Sequence, residues 1–449
     1  MDTTSRPEQP DAGHDDPDRA THDSEPRPRA DVHVIGGGLG GLAAAAVAAR
    51  SGLSVVVHER RGRLGGRATT DDRRGYRFNQ GPHAFYRAGE GAAVLGRLGI
   101  TPRGVAPEVS VARMVRGDES FIAPGGLSSL ARTRLLGVRD KASLAMILAR
   151  LSKIDPSTLA ATTVGDWIDG LTDRVRVREV LHAIVRLTSY ANAPAALSAD
   201  VGVLQLQLGL GEGVLYLDGG WQQLVDDLAA QPNVHIDVGD SITSLDDLVG
   251  TDGVSGALGD GPAIIVTTGS PTSAAAITGH PYEDGLEATV GALDLGLARP
   301  PEHSFVIGID EPIYLSDHGV PAGMVPAGAA SVSLAEYHRV GESPGVSTDG
   351  DADAARTRLT RFAVHAGVTD DDIVEQRYLH RMVTVSSIPT AATGGLAGRP
   401  GVAVPDRPGV FVAGDWVGGR GHLADAVLAS AEEAAVAAVA HVRRRTAVR

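Results

Sequence analysis

The 449-residue chain contains no cysteine. That excludes disulfides, thiolate metal sites and any cofactor tethered through cysteine sulfur; no metal site of another kind is expected. Lysine is nearly absent: only Lys141 and Lys153, against 39 arginines, a bias read as genomic base composition. Aromatics amount to 4% of residues, which leaves little material for aromatic cages around organic cations. The net charge of −14 speaks against nucleic acid as a partner, since that requires clustered positive charge. Nor is there a long uncharged apolar run. The nearest, "ADAVLASAEEAAVAAVAHV", is interrupted by Glu432 and Glu433 and reads as a buried helix. Residues 1–30 are rich in Pro, Asp and Arg without an apolar stretch, so a disordered tail is expected rather than a signal peptide. The location implied by default is the cytoplasm.

What is present begins at residue 32. "DVHVIGGG" reads as a short strand ending in glycine, "LAAAAVAARSG" as a strong helix closed by Gly52, and "LSVVVHE" as a second strand. Within this βαβ unit Gly36, Gly38 and Gly41 fit G-x-G-x-x-G. The first permits a tight turn, the second lets backbone approach a pyrophosphate, and the third lets helix pack closely on strand. The helix N-terminus offers free N–H groups and a positive dipole end to phosphates. Glu59 ends the second strand, where an acid can bind ribose hydroxyls and repel a 2′-phosphate. The unit predicts dinucleotide binding and leaves NAD or FAD open.

The next stretch, "RRGRLGGRATTDDRRGYRFNQGPHAFY", decides between them. Gly65, Gly66 and Arg67 follow the acid at a spacing that resembles the flavoprotein superfamily of amine oxidases, protoporphyrinogen oxidases and phytoene desaturases. The resemblance implies FAD, with Leu39, Arg60, Gly65, Gly66 and Arg67 along its phosphates and sugars. A glycine pair permits close approach, and a guanidinium forks onto phosphate oxygens. By the same resemblance Gly81, Pro82 and His83 run to the flavin ring, and His83 is the candidate catalytic group. Asn79 stands where many relatives have Asp. Near the C-terminus, "GVFVAGDWVGGRGHLADAV" is the second match. It implies Gly414 and Asp415 at the ribityl and pyrophosphate portion, and Leu423, Ala424 and Ala426 where a helix N-terminus faces the ring. Asp425, where relatives often have Gly, is expected to cap that helix. "YLDGGWQQLVDDLAA" and "NVHIDVGDSITSLD" resemble the helix and strand that complete the FAD-binding part, with Ile242 at the adenine and Trp221 packed near the cofactor.

The expected fold class is α/β: a discontinuous Rossmann-like FAD-binding domain (31–86, 206–283 and 401–449) with an α+β substrate domain (87–205 and 284–400). The first substrate stretch reads as helical and the second as an antiparallel sheet. No second G-x-G-x-x-G follows a strand, so electrons should pass to oxygen, a quinone or another diffusible acceptor. Amine oxidases of this fold usually carry a lysine on a strand of the substrate sheet, and "ATVGALDLGLA" has none. The expected function is therefore a phytoene-desaturase-like dehydrogenase that passes hydride from an apolar or polyunsaturated small molecule to flavin N5. The alternatives are an amine or porphyrinogen oxidase using O2, or a flavin-bound isomerase without net turnover. Tyr190, Arg186, His380 and Arg381 are further, weaker candidates for acid–base work. Residues 126–153 hold six basic residues against Asp140, a net of +5 among Leu, Ile and Met. They read as a solvated helical hairpin or a peripheral contact with anionic membrane.

Overall fold

The runs "VHVI", "VVVHE" and "AIIV" are fully buried and β-branched, as strands covered on both faces must be. In the structure, a computed structural model that describes residues 30–248, 261–341 and 349–448, they lie side by side. The tail expected to be disordered falls outside the described residues except for Ala30. The resulting sheet has five parallel strands in the order Val234–Val238, Val55–Glu59, Val32–Ile35, Ala263–Val266, Val410–Val412. The alanine-rich helix Leu39–Arg50 is buried along nearly its whole length and packs against the last helix, Ala424–Val448. Small side chains allow that approach. A Cβ at Gly41 would collide with the Gly36 carbonyl oxygen, and Gly36 itself sits at φ +109°.

A second sheet has seven strands in the order Ile373–Val385, Ala288–Leu297, Ala330–Tyr337, Ile313–Asp317, Phe305–Gly308, Arg113–Arg116, Glu119–Ile122. It corrects the expectation in two ways. The sheet is mixed, because Phe305–Gly308 pairs parallel with Arg113–Arg116. And two of its strands come from the stretch read as helical. "RMVR-GD-ESFI" is a hairpin turning at Gly117 and Asp118, with Gly117 at φ +53°. The turn signal was present, but the long helices around it dominated the reading.

The two faces of this sheet differ by strand alternation. Leu293, Leu295, Leu297, Leu315, Val332 and Leu334 form one face and pack under the helix Asp349–Ala363. Ala288, Val290, Ala292, Tyr314, Ala335 and Tyr337 form the other, towards the helices between 127 and 210. The hairpin Thr70–Arg73/Tyr76–Asn79 turns through Arg74 and Gly75, both at positive φ, and delivers "NQGPH" between the two sheets.

Candidate active site

The two glycine loops predicted to serve one ligand touch each other. Gly38 and Gly65 form a parallel bridge, and the Gly65 amide donates to the Gly37 carbonyl at 2.8 Å. Glu59, 8% exposed, orders the turn: its Oε2 accepts from the Gly37 amide at 2.7 Å and its Oε1 from the Arg61 amide at 2.8 Å. Leu39 opens the first helix and Arg60 is exposed beside Glu59. Gly66 leaves open a cradle: a Cβ built there would find only Gly38 Cα, at 3.6 Å. Ile242 lies beyond the outer strand, buried in the core beneath this unit. His58 on the neighbouring strand engages Asp240 through Nδ1 at 2.7 Å and His33 through Nε2 at 2.9 Å. With Asp237 it makes a close group of possible metal ligands, but both imidazole nitrogens are already in hydrogen bonds.

The chain ends meet at Asp415. Its Oδ2 accepts from Arg67 Nη1 at 3.0 Å, 348 residues away in sequence, and from the Ser386 amide at 3.1 Å. Its Oδ1 is buried with no partner among the described residues. A buried carboxylate oxygen left unmet is costly unless a ligand hydroxyl completes it. Two residues missed from sequence hold this loop. Ser430 Oγ receives the Gly414 amide at 3.0 Å. Arg399 donates to the carbonyls of Asp415 (2.9 Å) and Gly421 (2.9 Å), and burial lowers its pKa to about 10. No motif announced either residue. Leu423 takes φ +54° to aim the chain into the last helix, where Ala424 is the first residue and Ala426 is wholly buried.

Asp425 behaves differently from the expectation. It caps a neighbouring helix, not its own: Oδ1 accepts from the Gly91 amide at 2.8 Å, in the first turn of Glu90–Arg97. The reason is space. Gly89 and Gly91 have no side chains and leave room for the carboxylate. Asp425 lines a cavity of about 380 Å³ with Leu204, Leu208 and Leu396, and Oδ2 has no partner among the described residues. Burial raises its pKa to about 7.

At the predicted ring end, Gly81 adopts φ +74° over Met382 and Ala292; a Cβ there would fall 2.5 Å and 3.4 Å from them. Pro82 is buried beside it. His83 Nδ1 donates to the Gly81 carbonyl at 2.9 Å, and its ring meets Trp221 edge-on at 5.0 Å. That bond fixes the tautomer and leaves Nε2 as an acceptor. Burial, aided by the Arg67 and Arg377 charges, lowers the His83 pKa to about 4, although the Gly81 bond acts the other way. Asn79 Oδ1 accepts from the Trp221 amide at 2.9 Å and from Thr70 Oγ1 at 2.8 Å, so here it is a structural acceptor. Arg377 was also missed. It pairs with the fully buried Asp294 at 2.6 Å and donates to the carbonyls of Phe78 and Asn79, fastening the ring-end loop to the broad sheet.

Among the weaker candidates, His380 is exposed and Arg381, at φ +50°, belongs to an irregularity where the edge strand Ile373–Val385 shifts register. Arg186 donates to the Gly308 carbonyl at 2.8 Å. Tyr190 Oη bonds Tyr314 Oη at 3.0 Å. Neither lysine is on the broad sheet: Lys141 Nζ donates to the Ala131 carbonyl and Lys153 is exposed.

The sequence model of the family described as flavin containing amine oxidoreductase matches residues 39–290. A carotenoid 3,4-desaturase from Haloarcula japonica is 48% identical over 52 residues, 12% of this chain and 10% of that protein. A 4,4′-diapolycopen-4-al dehydrogenase from Metabacillus indicus is 34% identical over 70 residues, 16% of this chain and 14% of that protein. The chain thus spans only a small part of the curated relatives it matches. In fold it is similar to cyclohexylamine oxidase from Brevibacterium oxydans, with a TM-score of 0.63, 17% identity, and coverage of 93% of this chain and 100% of that one.

Proposed function

Since this chain belongs to the flavin-containing amine oxidoreductase family, we propose that it acts as a phytoene-desaturase-like dehydrogenase on an apolar or polyunsaturated small molecule. It is an FAD-dependent oxidoreductase; bound FAD supplies the hydride acceptor at N5. The residues present fit that cofactor. The Gly38/Gly65–Gly66 cradle and the first helix N-terminus would receive the pyrophosphate, Glu59 the ribose, and Arg67 with Asp415 Oδ1 the ribityl and phosphate portion. On this reading 31–86, 206–283 and 401–449 form the FAD-binding unit and 87–205 with 284–400 the substrate unit.

The observation that carries the substrate class is the strand Ala288–Leu297, second in the broad sheet. Its site-facing positions are Ala288, Val290, Ala292 and Asp294, and the only ionisable one is locked to Arg377. No lysine is available to hold a water as in amine oxidases, and the apolar wall suits a hydrocarbon chain. His83 is then the candidate catalytic group, a neutral hydrogen-bond acceptor at the ring end. Its Nε2 is free of hydrogen bonds among the described residues, and the imidazole is neutral at pH 7. The names of the desaturase and dehydrogenase relatives support the same branch. Electrons leave to oxygen or a quinone. Apolar substrate reaches the protein from an anionic membrane surface touched by 126–153, where Leu127 and Val138 are 85% and 86% exposed beside Arg132, Arg134 and Arg139.

Anaerobic titration of the yellow holoprotein tests the reading. A polyene should bleach the flavin and a primary amine should not. Peroxide release with an amine in air, and no bleaching by any polyene, would reverse the assignment.

A further inference from the structure

The aromatic poverty of the chain hides a local concentration. Five of its eight tyrosines, Tyr86, Tyr190, Tyr216, Tyr314 and Tyr337, gather near the ring-end loop. Strand register explains where. Ala292, beneath Gly81, is paired with Ala335, and Ala335 with Tyr314, so one row across the broad sheet runs small, small, large away from the predicted flavin. Tyr337 lies in the next row on the same face, paired with Val290. Tyr190 closes over both from the end of the helix Val175–Ser189, held at φ +52°.

The rings occupy one another's faces. Tyr314 and Tyr337 stack at 6.0 Å, and Tyr190 meets them edge-on at 6.3 Å and 6.1 Å. A cage for a cation needs free ring faces, and these are covered. The hydroxyls differ in what they have to do. Those of Tyr190 and Tyr314 bond each other, that of Tyr216 bonds Ser316 Oγ at 2.6 Å, and that of Tyr86 donates to the Thr188 carbonyl. Tyr337 Oη, on a residue 2% exposed, has no partner among the described residues. Nor has Nε2 of buried His318, stacked on Tyr216 at 4.0 Å. The groups around Tyr337 are neutral phenols and one guanidinium, that of Arg186. The tyrosines are held protonated by burial and His318 is neutral, its pKa lowered to about 3. Nothing there pairs with an ammonium, and Arg186 repels one.

We infer that this tyrosine cluster beside the ring-end loop recognises a neutral oxygen, a carbonyl or hydroxyl, at one end of an otherwise apolar substrate, with Tyr337 Oη as the specificity-determining donor. The inference rests on the dehydrogenase reading above and narrows its substrate class. A buried hydroxyl without a partner is an unusual feature that a ligand oxygen satisfies.

The test uses three probes with one carbon skeleton: farnesal, farnesene and farnesylamine. Each is titrated anaerobically into the yellow holoprotein, with perturbation of the flavin spectrum as the readout. Farnesal should bind about tenfold more tightly than farnesene, and farnesylamine weakest. Tyr337→Phe should erase the difference between farnesal and farnesene while leaving the melting temperature equal or higher, because it removes an unmet hydroxyl. A fall in melting temperature would give that hydroxyl a structural partner and overturn the assignment. So would equal affinities, tighter binding of the amine, or no perturbation by any probe. Colourless protein would instead defeat the flavin reading itself.

Discussion

The carboxyl of Asp425 shows how one side chain ties stability to pH. Burial raises its pKa from the ordinary 3.8 to about 7, with Glu90 adding to the rise and the Gly91 amide opposing it. The folded protein therefore holds a proton that the unfolded chain releases between those values. Folding carries no penalty from this group below pH 3.8, a growing one as pH rises, and the full one above about 7, at most about 4 kcal/mol. Asp425→Asn keeps the acceptor for Gly91 and removes the charge. Its melting temperature should exceed that of the parent at pH 8, and the gap should close towards pH 4. His83, His318 and His422 act in the opposite sense. Burial lowers each to about 3 or 4, so the stability that depends on neutral imidazole is present above pH 6.5 and lost as pH falls towards 4. None of these shifts was legible from sequence, because each depends on burial by elements far along the chain.

At the scale of elements, local pattern was decisive where a segment answers to its own neighbours. The glycine turn at 36–41 and the alanine helix after it form as their spacing demands. The short hairpin 113–122 escaped notice because its strands are four residues each and gain their partner only when Phe305–Gly308 arrives beside them. The basic helices Leu127–Arg132 and Val138–Leu151 formed as read, and they leave Leu127, Val138 and Met146 exposed at 85%, 86% and 53%. Exposed aliphatics amid arginines suit an anionic interface, where apolar burial and charge attraction add. Leu127→Glu combined with Val138→Glu should cut co-sedimentation with phosphatidylserine vesicles by about tenfold or more. Binding of the parent should weaken as salt rises. Equal recovery of parent and variant would mean that the face is merely solvated.

At the scale of the whole molecule, the ion pair of Arg67 with Asp415 joins segments 348 residues apart. Asp415 Oδ1 has no partner among the described residues, and a Cβ at Gly66 would meet only Gly38 Cα within 4 Å. If FAD binds here, it binds the folded arrangement and not the unfolded chain, so at a hundredfold excess over Kd it should add about 2.7 kcal/mol of stability. Calorimetry with and without FAD measures that gain. Arg67→Ala and Asp415→Asn should each weaken FAD binding by about tenfold to a hundredfold. The sequence by itself determined the dinucleotide unit and, through glycine spacing and resemblance, the flavin. Those features rest on backbone conformations that a few adjacent residues impose. Only the tertiary structure placed Arg377 and Arg399 as clamps, turned Asp425 towards another helix, and collected the scattered tyrosines into one cluster. Such pairings depend on strand register and helix packing between distant segments, and no local pattern encodes the distance between them.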